Sequence, residues 1–337
     1  MIVAPFRYDI AVLRLLAITI VVGFHIYGMC YAEAHLPSPI HEHYKDMYEW
    51  FNGYVPINVA MPLFVFISGF LYSVQLSNRK YCSLWEVAKL KFLRVGVPFY
   101  VFMVIMMATY SGFSISPFYT GYYWHLWFLP MLWWMFVCTY LLKGIITSPK
   151  RFYWYIVVCV AYVMPLFGQF LPHIFGLQNL SGWYCFFLLG VSVQIEEERM
   201  DNLISRYCLL PLFLLIYVIT IVFFPTEYGR QSISLLLGST MAVLSLWYLF
   251  RRVLWERFFL TSFMLFVSKQ SFGIYIFHYW IGAFLISSTA MRWFPIVPFA
   301  ERHDVLFPFL FAVLTFVASF ALSKLLAMTR LGRKLIG

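Results

Sequence analysis

Charge is scarce in this sequence. Aspartate, glutamate, lysine and arginine together make up 11% of the 337 residues, about half of what a soluble domain of ordinary composition carries, which excludes a water-soluble globule and a charged disordered chain alike. Acid is scarcer than base, with 14 Asp and Glu against 24 Lys and Arg for a net charge of +10. The basic residues cluster between apolar runs rather than along one continuous face, so no nucleic-acid partner is expected. Cysteine is sparse too. The six, at positions 30, 82, 138, 159, 185 and 208, stand singly with no redox or metal-type spacing, which argues against a disulfide framework. No low-complexity segment and no sequence repeat is present, so solenoids are excluded and a carrier built from duplicated halves loses its signature.

Apolar residues are abundant, at 63% hydrophobic and 22% aromatic. A bilayer core of about 30 Å requires roughly 20 apolar residues per helical span. Ten candidate spans satisfy this, at about 8–30, 56–77, 95–113, 123–143, 152–171, 181–196, 207–224, 231–250, 271–289 and 304–328. The expected fold is therefore all-α, a polytopic transmembrane helix bundle of about ten spans forming a single domain over residues 1–337. Arg14 interrupts the first apolar run and no clean cleavage pattern follows, so that run is expected to stay as a mature helix. With ten spans, the side of the two termini carries most of the basic residues, among them Arg79, Lys80, Lys89, Lys143, Arg251 and Arg333. The other side has only Lys45, Arg230, Arg292 and Arg302. The positive-inside rule then places both termini in the cytoplasm. The stretch 78–94 reads as a basic amphipathic helix on the membrane surface.

Two ionisable residues lie inside the first apolar run, Arg14 and His25, with ten residues between them. Eleven helical steps return to within about 20° of the same face after a rise of about 16 Å. Charged and titratable groups at membrane depth are costly, which favours a functional pair. Arginine suits a phosphate or carboxylate because its planar fork donates two parallel hydrogen bonds. Histidine suits proton abstraction from a hydroxyl. The bland alternative has Arg14 reaching to lipid headgroups and His25 bonded to a helix carbonyl. Lys91 and Arg94 are three apart and would be neighbours on a helix face, either a clamp for cofactor phosphates or ordinary positive-inside anchors.

The segment Tyr122-Tyr-Trp-His-Leu-Trp-Phe-Leu-Pro130 places His125 between Trp124 and Trp127. Aromatic faces with a few polar groups hold sugars, and they also form interfacial belts; both readings stand. His278 falls at mid-membrane depth in the ninth run, with a functional and a packing reading. The loop of about residues 31–55 gathers His35, His41 and His43 with loose spacing, and no metal is expected.

Taken in order, these pieces resemble the integral-membrane acyltransferase family three. The matching features are Arg14 and His25 with ten residues between them, the run Pro62-Leu-Phe-Val-Phe-Ile-Ser-Gly-Phe-Leu71, and the basic entry to the third span ending at Pro98. His125-Leu-Trp-Phe-Leu129, Phe186-Phe-Leu-Leu-Gly190 and Tyr275-Ile-Phe-His278 follow. The His-Leu-Trp-Phe-Leu form, with Leu132 and Trp133 where an acidic pair often stands, looks more like the stand-alone sugar O-acyltransferase branch. That branch includes enterobacterial common antigen O-acetyltransferases and the intercellular adhesin modification protein.

The resemblance implies an enzyme of the bacterial inner membrane that moves an acyl group, most simply acetyl, from cytoplasmic acetyl-CoA or another acyl-CoA. The acceptor would be a hydroxyl of an envelope polysaccharide or glycolipid. It implies His25 as general base, Arg14, Lys91 and Arg94 as contacts for the donor, and Trp124, His125, Trp127 and His278 on the acceptor side. Lys91 stands where many relatives have arginine. The acid that would orient His25 is not identified by the sequence. The rival reading is a transporter or flippase for a lipid-linked sugar.

Overall fold

A chain this apolar has to satisfy its own amides, and helices do so within one segment. The computed structural model describes residues 7–32, 59–78, 80–223, 233–253, 255–286, 298, 302–303 and 306–336, and among them it is helical with no strand. In chain order the longer helices are α1 (Tyr8–Ala32), α2 (Met61–Ser77), α3 (Leu84–Thr109), α4 (Phe128–Leu141), α5 (Arg151–Val163), α6 (Leu177–Ile195) and α7 (Glu197–Arg206). They continue with α8 (Leu209–Phe223), α9 (Ile233–Arg252), α10 (Thr261–Ser268), α11 (Ser271–Ile286), α12 (Leu306–Met328) and α13 (Arg330–Ile336). Each of the ten expected runs is helical over most of its described residues.

Among the described residues four helical stretches are long and apolar enough to cross a membrane: Tyr8–Cys30, Leu84–Thr109, Arg151–Gly168 and Leu306–Met328. A fifth appears if α7 and α8, bent by 88° at their junction, count as one broken span. α2 and α11 are apolar but shorter. The large side chains Phe152, Ile156, Val160, Leu215 and Val222 are exposed, as a lipid-facing surface requires. The sharp turn between α7 and α8 sits at Cys208, whose φ is 48°. It separates polar α7, with Glu197 and Glu198 in its first turn, from predominantly apolar α8.

The basic stretch 78–94 is helical from Leu84 and continuous with the apolar run that follows, since α3 runs unbroken from Leu84 to Thr109. Ser83 caps its start by accepting the Glu86 amide. The proline that ends the basic entry, Pro98, lacks an N–H for the Arg94 carbonyl. The helix accommodates this with a π segment, Phe92–Gly96, rather than a break.

Two compact units make up the chain, one of residues 1–61 and 249–337 and one of residues 62–248. In the first, α1 packs against α10, α11 and α12, and α11 packs against α12. Leu13, Ile18, Ile26 and Ile274 are fully buried there. Gly282 lies so close to Ile26 and Met29 of α1 that a Cβ would come within 2.7 Å of the Ile26 Cδ1 atom. On the other side of α11, Ser323 of α12 crowds Gly273 and donates its hydroxyl to Gln270 Oε1 at 2.8 Å. These contacts fix the height of α11 against both neighbours.

In the second unit α6 is the central helix, packed on α4 and α5, with Phe186, Phe187, Leu188 and Val191 buried. Where lipid replaces water, close backbone approach and interhelical hydrogen bonds do the work that burial does in solution. Gly69 of α2 meets the Phe187 carbonyl and Gly190 of α6 meets the Phe66 carbonyl, each with no room for a Cβ. One turn on, Ser73 donates to Gln194 Oε1 at 2.6 Å. Trp154 donates its indole N–H to Ser192 at 3.0 Å and ties α5 to α6.

Candidate functional site

Because α1 is unbroken, the spacing between Arg14 and His25 puts them on one face at different heights. Both are half-buried. His25 Nδ1 lies 3.0 Å from the Val21 carbonyl and 2.9 Å from Nε2 of His278. The ring also meets Tyr279 edge-on, with centroids 5.5 Å apart. His278 has no exposed surface, and its Nδ1 lies 2.7 Å from the Tyr275 carbonyl and 3.2 Å from that of Ile274. The first unit thus brings together two histidines 253 residues apart in sequence. A second imidazole is thus one partner of His25.

The second unit holds Lys91 and Arg94. Their side chains part company: Lys91 is buried and Arg94 is exposed. A π segment begins at Phe92, between the two. Lys91 Nζ donates to Gln75 Oε1 at 3.0 Å, and the same oxygen accepts the Tyr81 hydroxyl at 2.5 Å. The ammonium sits over the rings of Phe136, Tyr72 and Tyr81, at 3.9, 4.8 and 5.4 Å from their centroids. Cation–π attraction of this kind strengthens when the cation is desolvated. Among the described residues no carboxylate pairs with Lys91, and the buried hydroxyl of Tyr72 has no hydrogen-bond partner.

The aromatic segment Tyr122–Pro130, also in the second unit, enters α4 through a 3-10 turn over Trp124–Trp127. Trp124 has φ of 38°, a conformation that bulky L-residues avoid and that strained functional sites often contain. Its ring lies parallel to that of Tyr123, with centroids 5.3 Å apart. Trp127 packs near Trp183 at 6.1 Å, and His125 is buried. The turn is braced by a second chain segment: the amides of Phe175 and Gly176 donate to the carbonyls of Tyr119 and Thr120, both at 2.7 Å. Phe175 stacks on Tyr100, which stacks on Phe118. Sequence reasoning overlooked this brace, although the Phe175-Gly176 pair, both with positive φ, is a turn signal.

The segment with His35, His41 and His43 lies outside the described residues. Among the described residues no three of His, Cys, Asp and Glu gather as metal ligands. A family model described as an acyltransferase domain matches residues 7–328, running through both units. No curated protein and no solved structure matches the chain.

Proposed function

Since the chain belongs to this acyltransferase family and is a membrane enzyme by its apolar helices, we propose that it transfers an acyl group, acetyl in the simplest case, from acyl-CoA to a hydroxyl of an envelope polysaccharide or glycolipid. His25 is the general base. Its Nε2 takes the proton from the acceptor hydroxyl as that oxygen attacks the thioester carbonyl. The tetrahedral adduct then expels the CoA sulfur, which receives the proton back from His25. The oxygen–acyl bond forms, the sulfur–acyl bond breaks, and the base returns to its starting state.

Arg14, on the same face of α1 as His25, contacts the anionic donor with its fork of N–H groups. In the second unit Lys91 and Arg94 are assigned to donor phosphates. The aromatic surface of Trp124 and Trp127, with His125, is assigned to sugar. Ten spans with both termini in the cytoplasm, in a bacterial inner membrane, is the topology that fits the basic residues, and the stand-alone sugar-modifying branch is the reading that fits the His-Leu-Trp-Phe-Leu segment. The acyltransferase family displaces the transporter alternative.

The observation that carries the proposal is a half-buried imidazole held in an apolar helix of an acyltransferase. Purified protein incubated with radiolabelled acetyl-CoA and envelope glycolipid should form labelled acylated product. His25→Ala should abolish that product while its elution as a folded particle is unchanged. A His25→Ala enzyme of normal activity would remove the base assignment.

A further inference from the structure

The geometry points to His278 as the positioning residue that sets the tautomer and orientation of His25, a role that rests on the acyl-transfer reading above. Carbonyl oxygens only accept hydrogen bonds. His278 Nδ1 faces two of them, Tyr275 at 2.7 Å and Ile274 at 3.2 Å, so its N–H is on Nδ1. A neutral imidazole has one N–H, which leaves a lone pair on His278 Nε2. That lone pair lies 2.9 Å from His25 Nδ1. His25 Nδ1 therefore carries the hydrogen and donates it, shared between His278 Nε2 and the Val21 carbonyl at 3.0 Å. The opposite assignment would set ring lone pairs against the carbonyls of Val21, Ile274 and Tyr275. His25 is thus held with its own lone pair on Nε2, the form a base requires.

The same bonds serve the charged stage. When Nε2 takes the acceptor proton, the positive ring keeps its Nδ1–H directed at His278 and Val21, and the Nε2 proton later leaves with the CoA sulfur. No proton is gained or lost by His278. A carboxylate in this place would bring a further full charge into an apolar unit, whereas a neutral imidazole orients the base without one. Contacts already described hold the pair in register: Gly282 against Ile26 and Met29, and Gly273 against Ser323. A slide of α11 along α1 would part the two rings.

Two variants and one spectrum test this. His278→Leu removes the acceptor and keeps much of the volume; His278→Gln returns an oxygen near the place of Nε2. With Leu, kcat should fall roughly 10²- to 10⁴-fold, the scale on which a misassigned tautomer or a lost base acts, with the KM for acetyl-CoA within about threefold. Gln should recover at least a tenfold share of the loss. In ¹⁵N-histidine NMR of the neutral enzyme, His25 should show protonated Nδ1 and bare Nε2 in the parent and in His278→Gln, and a mixture in His278→Leu. Unchanged kcat with Leu, or Gln no better than Leu in two folded variants, overturns the role. So does a parent spectrum with the hydrogen on Nε2, which decides the matter even if His278→Leu does not fold. The spectrum reads the tautomer without turnover, so failure to transfer acyl groups would count against the proposed reaction and not against this pairing.

Discussion

Gln75 and Lys91 share one hydrogen bond that fixes a cation among aromatic rings: the amide oxygen accepts the ammonium at 3.0 Å while also accepting the Tyr81 hydroxyl. Removing the acceptor and removing the cation therefore have unlike consequences. Gln75→Leu leaves an ammonium and a phenol without their acceptor and should destabilise the enzyme by about 1–3 kcal/mol. Lys91→Met removes a buried charge that no carboxylate among the described residues pairs with, and fills its volume, so its stability should stay within about 1 kcal/mol of the parent. Thermal unfolding in one detergent compares them directly. A Lys91→Met protein less stable than Gln75→Leu would contradict the view of Lys91 as a costly charge.

Arg14→Ala should raise the KM for acetyl-CoA by about 10- to 100-fold, the range for a lost charge-assisted contact of about 1.5–3 kcal/mol, with a much smaller effect on kcat than His25→Ala. Arg14→Lys should fall between, since a point charge replaces a fork. Initial-rate kinetics at varied donor concentration separate these, and a kcat effect equal to that of His25→Ala would place Arg14 at the reacting atoms instead.

Trp124→Gly should change stability by no more than about 1 kcal/mol, because relief of a left-handed backbone worth about 1–3 kcal/mol offsets the lost stacking on Tyr123, worth about 0.5–1.5 kcal/mol. Acceptor affinity should nevertheless fall by about 2- to 13-fold if the ring holds sugar, by analogy with other aromatic contacts of about 0.5–1.5 kcal/mol. Isothermal titration with the glycan would show it, and unchanged affinity would return Trp124 to the interfacial-belt reading.

Gly190→Ala should cost about 1–3 kcal/mol or prevent folding, since the added methyl meets the Phe66 carbonyl. Gly144→Ala, in open space, should instead be neutral or gain up to about 1 kcal/mol from helix propensity. Thermal shifts of the pair, measured side by side, provide an internal control.

The sequence made legible what depends on local period. Helices lie over the expected runs because apolar length is a local quantity, and the shared face of Arg14 and His25 follows from an unbroken helix. The pairing of His25 with His278 was hidden because no local pattern links residues 253 positions apart. The burial of Lys91 was hidden for another reason. The groups that surround its ammonium, Gln75, Tyr72, Tyr81 and Phe136, come from other segments of the chain, and the π segment ahead of Pro98 leaves no mark in the spacing of the two cations. The continuity of α3 past Arg94 was not legible in the basic residues of 78–94 either, because they mark a membrane edge equally well whether a helix lies along it or rises through it. The strained φ of Trp124 has no sequence signature at all, since tryptophan is among the residues least suited to it.

The contact of α2 with α6 has a mechanical consequence. Each helix lodges a backbone carbonyl against a glycine of the other, and a serine–glutamine bond pins them one turn further on. Such a joint has no compliant side chains to slide or rotate, so any rearrangement during turnover has to carry these two helices as one rigid strut. Motion within the second unit is then confined to elements joined by softer contacts, α3 with its widened π turn foremost among them.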